Sequence, residues 1–276
     1  MISVGAWLAA HDDLDRLDRD VLLERAAGLS RAQILTRPEA ALEAGAAERL
    51  NAWAGRRRSG EPLAYILGSR EFWSLELTVS PAVLVPRPET ELLVEVGLEF
   101  MDGRAGQTIA ALELGTGSGA VAIALAREAR FRAVDLRLTA TDVSPAALQI
   151  AAANARHHHT AIDFRHSDWW QEVRGRFALI LSNPPYVRDA DVHLDALQHE
   201  PRLALAGGAD GLNAIRTIIA GAAARLETGG LLALEHGWDQ AGAVQKLLEA
   251  AGFRHVASRA DLAGVDRVTV GYLAAS

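Results

Sequence analysis

The sequence predicts an α/β protein: a doubly wound, mostly parallel sheet preceded by a small helical domain. Three observations carry this. From Glu89 onward, apolar strand-like runs alternate with helical patterns, as in a parallel sheet covered by helices on both faces. One run, residues 108–114, leads at once into Gly115-Thr116-Gly117-Ser118-Gly119 and then an apolar helical stretch, 120–127. Strand, glycine turn and helix open a nucleotide-type βαβ unit. The first 75 residues, by contrast, show helical patterning and no convincing parallel-strand run.

In order along the chain, Leu14, Leu17, Val21, Leu22 and Leu23 mark one helical face. Ser30 suits the cap of a helix opening at Arg31, and 39–53 reads as another helix. Residues 71–79 alternate like a single strand, and 80–88 form a proline-punctuated connector. Pro88 fits a first helical turn, whose positive end Glu89 and Glu91 favour. Strands follow near 109–114, 136–141, 161–166, 177–182 and 230–236. Two last runs, 255–258 and 267–272, are expected to pair antiparallel at one edge. The expected division is a helical substrate-recognition domain at 1–75, a strand and connector at 76–88, and the catalytic α/β domain at 89–276. Ligands are expected at the carboxyl ends of the strands.

Composition narrows the classes. The 276 residues are 50% hydrophobic, enough for one large core and a smaller one. A net charge of −7 argues against a dominant nucleic-acid footprint, which would be a basic patch or stripe. Without cysteine there is no disulfide framework, thiolate metal site or cysteine nucleophile. The N-terminus lacks a positive n-region and a spanning apolar stretch, so a soluble cytoplasmic protein without membrane contact is expected. Three consecutive histidines, His157-His158-His159, do not share a helical face, so a solvated helix end is a better reading than a metal site, and no metal is expected.

The chemistry concentrates at strand ends. Asn183-Pro184-Pro185-Tyr186 follows the apolar strand 177–182. Pro184 pushes Asn183 into an extended conformation, and both prolines lock φ and offer carbonyls without N–H groups. Such a stiff corner suits the gripping of a planar NH2 group through acceptors; its plainer reading is a rigid turn. The glycines of Gly115–Gly119 let backbone pass close to a ligand, beside free N–H groups of a helix start. With Ala120 in the last slot the run also satisfies the dinucleotide fingerprint, so taken alone it does not separate NAD from S-adenosylmethionine. Asp142 ends the next strand, where a carboxylate accepts the ribose hydroxyls of an adenosine or simply favours the following helix start. Trp169, in Ser167-Asp168-Trp169-Trp170, ends the third strand, where an indole either lies along an adenine or packs. His236 reads as a satisfied structural histidine.

Together, Glu113-Leu-Gly-Thr-Gly-Ser-Gly119, Thr141-Asp142, Ser167-Asp168-Trp169, Asn183-Pro-Pro-Tyr186 and Pro86-Arg-Pro-Glu-Thr-Glu91 resemble the PrmC/HemK family of release factor glutamine methyltransferases. The likeness extends to Arg58-Ser-Gly-Glu-Pro-Leu-Ala-Tyr-Ile-Leu-Gly68, Leu234-Glu-His-Gly-Trp238 and Asp266-Arg-Val-Thr-Val270. Asn-Pro-Pro-Tyr alone is shared with DNA enzymes that methylate amino groups. The resemblance implies a class I, Rossmann-like methyltransferase fold, S-adenosyl-L-methionine as cofactor, and release factors as protein substrates of a monomer. It implies Asn183 and Pro184 as catalytic groups. Cofactor contacts are expected from Gly115, Thr116, Gly117, Ser118, Gly119, Asp142, Trp169 and Asn183, and substrate contacts from Asn183, Pro184, Pro185 and Tyr186. Arg87 and Thr90 are candidates to face the cofactor.

Overall fold

The computed structural model describes residues 2–274. The chain divides into two compact units, Met1–Gly68 and Ser69–Ser276.

The first unit is helical: α1 (Val4–Ala10), α2 (Arg16–Ala27), α3 (Arg31–Thr36), α4 (Ala44–Arg58) and α5 (Leu63–Leu67). Ser30 caps α3 in a reciprocal box, its hydroxyl accepting from Gln33 N and its own N–H bonding the Gln33 side chain. Gly28 ends α2 in the left-handed conformation, φ +65°. Trp7, Leu22, Leu23, Ile34, Leu42 and Leu50 form the core. The helical face expected in α2 is narrower than the sequence suggests: Leu14, Leu22 and Leu23 are buried, whereas Leu17 lies in the first turn and is exposed.

In the second unit, the segment read as one strand is a hairpin, β1 (Ser69–Phe72) and β2 (Leu75–Thr78). Trp73 and Ser74 make the turn with φ of +51° and +56°. A two-residue hairpin turn with positive φ at both positions normally announces itself as Asn-Gly, and Trp-Ser gives no such signal. Phe72, Leu75 and Leu77 bury themselves in the larger core.

There follow α6 (Glu91–Met101), β3 (Thr108–Leu114), α7 (Ala120–Phe131), β4 (Asp135–Asp142), α8 (Pro145–His157), β5 (Asp163–His166), β6 (Phe177–Ser182), α9 (His193–Ala196), α10 (Asn213–Arg225), β7 (Leu226–Glu235), α11 (Ala241–Ala250), β8 (Phe253–Ala260) and β9 (Asp266–Leu273). The seven-stranded sheet has the order β5-β4-β3-β6-β7-β9-β8. All neighbours are parallel except β9, which runs antiparallel to both β7 and β8. This is the expected doubly wound sheet with an antiparallel pair at one edge. Two apolar clusters cover its faces. One is built around α6 and α7, the other around α10 and α11. The central strands β3, β6 and β7 are buried on both sides, so they read as continuous apolar runs.

The strand order reverses between β3 and β6. From β3 the chain winds outward through β4 and β5, then returns to β6 on the other side. The crevice at such a switch point, beyond the carboxyl ends of the strands, is where this architecture binds ligands.

Candidate functional site

The two most informative motifs leave adjacent strands at that switch point. Leu114 and Ser182 are register partners on β3 and β6, and the Ser182 hydroxyl donates to the Leu114 carbonyl at 2.7 Å. The glycine turn and the Asn183 corner therefore begin side by side. A cavity of about 450 Å³ opens over them, within the range of small-molecule sites.

Gly115, Thr116, Gly117, Ser118, Asp142, Trp169, Asn183 and Pro185 all line this cavity. Gly115 and Gly117 take φ of +72° and +56°, and a side chain at either would meet nothing within 4 Å. Backbone conformation, not crowding, requires glycine there. Gly119 differs. It lies behind the turn at the start of α7, with φ +83°, and a Cβ would press on Ile123 and Ala151 at 3.1–3.3 Å. Its absence of a side chain lets α7 and α8 approach. Asn154 braces the same turn from α8, donating to the carbonyls of Ser118 and Thr78 and accepting from Thr78 N.

Asp142 organises the turn as well as facing the cavity. One carboxylate oxygen accepts from Gly117 N at 2.9 Å and the other from Ser144 N at 2.8 Å. Burial raises its carboxyl above the usual range, opposed by these N–H donors. Trp169 stands at φ +47°, a left-handed conformation unusual for so large a residue. The Ser167 hydroxyl holds it there by donating to the Trp169 carbonyl at 2.9 Å. Its neighbour Trp170 packs against Gly221 and donates to the Thr217 carbonyl. The Trp pair thus splits into one wall residue and one packing residue.

Asn183 donates its side-chain NH2 to the Thr90 hydroxyl at 3.0 Å. The amide oxygen lies on the opposite side of the same carbon, so this bond turns it away from Thr90. Pro184 is buried and Pro185 lines the cavity. Tyr186 stands behind the corner, outside the cavity lining. Its hydroxyl donates to Glu235 at 3.3 Å, and its backbone carbonyl accepts from Gln240. Burial, with the Glu235 charge adding, pushes the Tyr186 hydroxyl well above its ordinary range.

Thr90 and Arg87, the candidates in the proline-rich connector, do line the cavity. Pro201, Leu203 and Ala204, from the segment after Glu200, line it as well and carry no local sequence signal. Buried Glu200 ties these two sides together by accepting from Val85 N at 3.0 Å and pairing with Arg87. His236 is buried and fully engaged, bonding Thr269 Oγ1 at 2.8 Å and the Gly237 carbonyl at 3.0 Å. His158 bonds the Glu76 carbonyl at 2.9 Å. Among the described residues no group of three His, Asp or Glu side chains is arranged to hold a metal ion.

Glu113, at the end of β3, lines the cavity yet is almost fully buried. It accepts from Thr116 Oγ1 at 2.5 Å. Burial pushes its carboxyl to about 8, against the Thr116 and Ala122 donors and with help from the Asp142 charge. A carboxyl raised on folding contributes stability that is present below about 4.5 and lost as pH rises to about 8. In the ligand-free protein, Glu113→Gln is therefore expected to gain stability relative to wild type as pH rises from 5 to 8. Calorimetric Tm of the two proteins across that range checks this; parallel curves would refute it.

Family comparisons agree with this geometry. Residues 6–68 match the model of the PrmC N-terminal domain, and residues 90–202 match that of the methyltransferase small domain. The chain is 48% identical to the release factor glutamine methyltransferase of Coxiella burnetii, over 97% of this chain and 95% of that one. It is 47% identical to the Burkholderia pseudomallei enzyme of the same name, over 98% and 96%. The chain belongs to the release factor glutamine methyltransferase family. Solved structures share the fold at lower identity. A methyltransferase from Pyrococcus furiosus matches with a TM-score of 0.54 and 18% identity, over 80% of this chain and 98% of that one. A Thermus thermophilus 16S rRNA N2 G1207 methyltransferase, solved with AdoMet and guanosine, matches with a TM-score of 0.53 and 22% identity, over 74% and 49%. The family's fold is thus the class I methyltransferase fold expected from the sequence.

Proposed function

We propose that this chain transfers a methyl group from S-adenosylmethionine to the side-chain amide nitrogen, N5, of the glutamine in the Gly-Gly-Gln motif of peptide chain release factors. One observation carries the reading most directly. At the switch point, beside the glycine turn, Asn183 has its NH2 tied to Thr90, which leaves its oxygen to accept from a substrate NH2.

The cavity fits the methyl donor. The open left-handed turn at Gly115–Gly117, the Asp142 carboxylate and the Trp169 indole are the residues that would hold it. S-adenosylmethionine supplies an electrophilic methyl group on a sulfonium when bound. The chain's own residues supply position. A primary amide nitrogen is a poor nucleophile because its lone pair is delocalised into the carbonyl. Asn183 Oδ1 and the Pro184 carbonyl each accept one N–H, which fixes the nitrogen and favours a pyramidal geometry. Holding reacting groups in line lowers a barrier by about 7–11 kcal/mol in favourable cases. Incubating the enzyme and labelled S-adenosylmethionine separately with purified release factor and with DNA tests the reading. Label on the glutamine alone is expected; label on DNA alone would overturn it.

The helical unit at 1–68 selects the protein substrate and takes no part in the chemistry, since every cavity-lining residue lies after residue 80. The proper test is a chain starting at Ser69. A later start would strip Phe72, Leu75 and Leu77 from the core. That chain is expected to bind S-adenosylmethionine normally and to lose most methylation of the intact release factor. Full-rate modification would refute the role. The enzyme acts in the cytoplasm as a monomer without direct nucleic-acid binding, consistent with its acidic balance; no described helix is long and apolar enough to cross a membrane.

A further inference from the structure

Gln240 is a buried side chain that the reading above leaves without a task. It stands between β7 and α11 and is 3% exposed. Both ends of its amide are engaged. Oε1 accepts from Gly237 N at 2.8 Å. Nε2 donates to the Tyr186 carbonyl at 3.0 Å and has the Asp210 and Gly211 carbonyls at 3.4 Å. One amide thus joins three loops: the corner after β6, the turn before α10 and the turn after β7. An acceptor at one end and two N–H donors at the other are what an amide alone offers, and the partners fix its orientation.

Two glycines make the junction possible. Gly211, at φ +76°, lies so close that a Cβ would fall 2.3 Å from the Tyr186 carbonyl oxygen and 2.5 Å from Gln240 Nε2. A Cβ on Gly207 would fall 2.7 Å from the Pro185 carbonyl oxygen. Beyond the corner, Gly207 N donates to the Val187 carbonyl at 2.8 Å and Val187 N to the Leu205 carbonyl at 2.9 Å.

The corner needs a hold from outside. Pro184 and Pro185 have no N–H to tie them down, and their φ angles are locked. The direction of the Pro184 carbonyl then depends on the remaining ψ rotations, which are fixed only when both ends of the span are held. Ser182 and Thr90 hold the Asn183 end. Gln240 holds the Tyr186 end.

We propose that Gln240 is a positioning residue for methyl transfer: it pins the Tyr186 carbonyl and so keeps the Pro184 carbonyl and Asn183 Oδ1 at the spacing a substrate NH2 requires. The role rests on the corner being the substrate grip. The Arg188–Asp239 ion pair, at 2.6 Å, ties the same two loops at the surface, where such pairs contribute little.

Single-turnover methylation of a release factor by the full-length enzyme tests this. Gln240→Met keeps the length of the side chain and removes both hydrogen-bonding ends. It is expected to be about 10²-fold slower at saturation, the cost of a displacement of about 1 Å at a reacting centre. The half-saturating release factor concentration and the Kd for S-adenosylmethionine should stay near wild type. In an Asn183→Ala background the effect should shrink, because residues acting through one grip are not additive. Asp239→Asn should keep a near-wild-type rate. A further readout needs no turnover: in a crystal structure of Gln240→Met the Tyr186 and Pro184 carbonyls should leave their wild-type places. A wild-type rate in Gln240→Met, an undiminished effect in the Asn183→Ala background, or an unmoved corner overturns the proposal. If wild type fails to methylate the glutamine, the proposed function falls, and the position of the corner still decides whether Gln240 holds it. If Gln240→Met does not fold, Gly211→Ala decides, since alanine crowds the same Tyr186 carbonyl and leaves Gln240 in place. The same slowing with unchanged cofactor affinity is expected there, and a wild-type rate overturns the proposal.

Discussion

Replacing Asn183 by alanine is expected to slow methyl transfer about 10²- to 10³-fold, the typical cost of removing one positioned hydrogen-bond partner at a reacting centre. Cofactor affinity should change little, because the glycine turn, Asp142 and Trp169 line the cavity independently of the Asn183 side chain. Alanine leaves one substrate N–H unpaired in the cavity and frees the Thr90 hydroxyl. Asn183→Asp is the sharper variant. It keeps an acceptor but cannot donate to Thr90, and it adds a negative charge beside the sulfonium. That charge stabilises the cationic ground state more than the transition state, in which the charge on sulfur is being neutralised. Partial recovery relative to alanine is expected. Single-turnover rates on folded variants check both; a wild-type rate for Asn183→Ala would reduce the corner to architecture.

Asp142→Ala is expected to weaken S-adenosylmethionine binding by at least about 1.5–3 kcal/mol, the scale of one hydrogen bond to a charged group, or about 10- to 100-fold in Kd. Two effects add. The ribose loses its acceptor, and the turn loses the carboxylate that holds Gly117 N and Ser144 N. Asp142→Asn separates them. An amide keeps one acceptor oxygen, but its NH2 must face one of those two N–H groups. It should fall between wild type and alanine. Isothermal titration calorimetry measures all three, and unchanged affinity in Asp142→Ala would remove Asp142 from the cofactor site.

Much of the architecture is legible in sequence because the dominant signal is local. A strand buried on both faces must be apolar throughout, so β3, β6 and β7 show themselves as runs. Turns that demand left-handed backbone draw glycine, so Gly115 and Gly117 mark the turn that lines the cavity. The hairpin at Trp73-Ser74 escaped because non-glycine residues hold positive φ there, kept in place by packing of Phe72, Leu75 and Leu77 rather than by turn chemistry.

The sequence by itself determined the fold class, the family, and the strand ends that carry Gly115, Asp142, Trp169 and Asn183. These follow from hydrophobic period, backbone restriction and spacing along the chain, each a property of a few neighbouring residues. Only the tertiary structure decided which partner each polar group has. Asn183 meets Thr90 across 93 positions, and Val85 meets Glu200 across 115. Glu235 reaches Tyr186 across 49. Burial, which moves Glu113 and Glu235 so far from ordinary carboxyls, likewise depends on which helices close over the sheet. Hydrogen bonding and desolvation act through space over a few ångströms, so no reading of local pattern contains them.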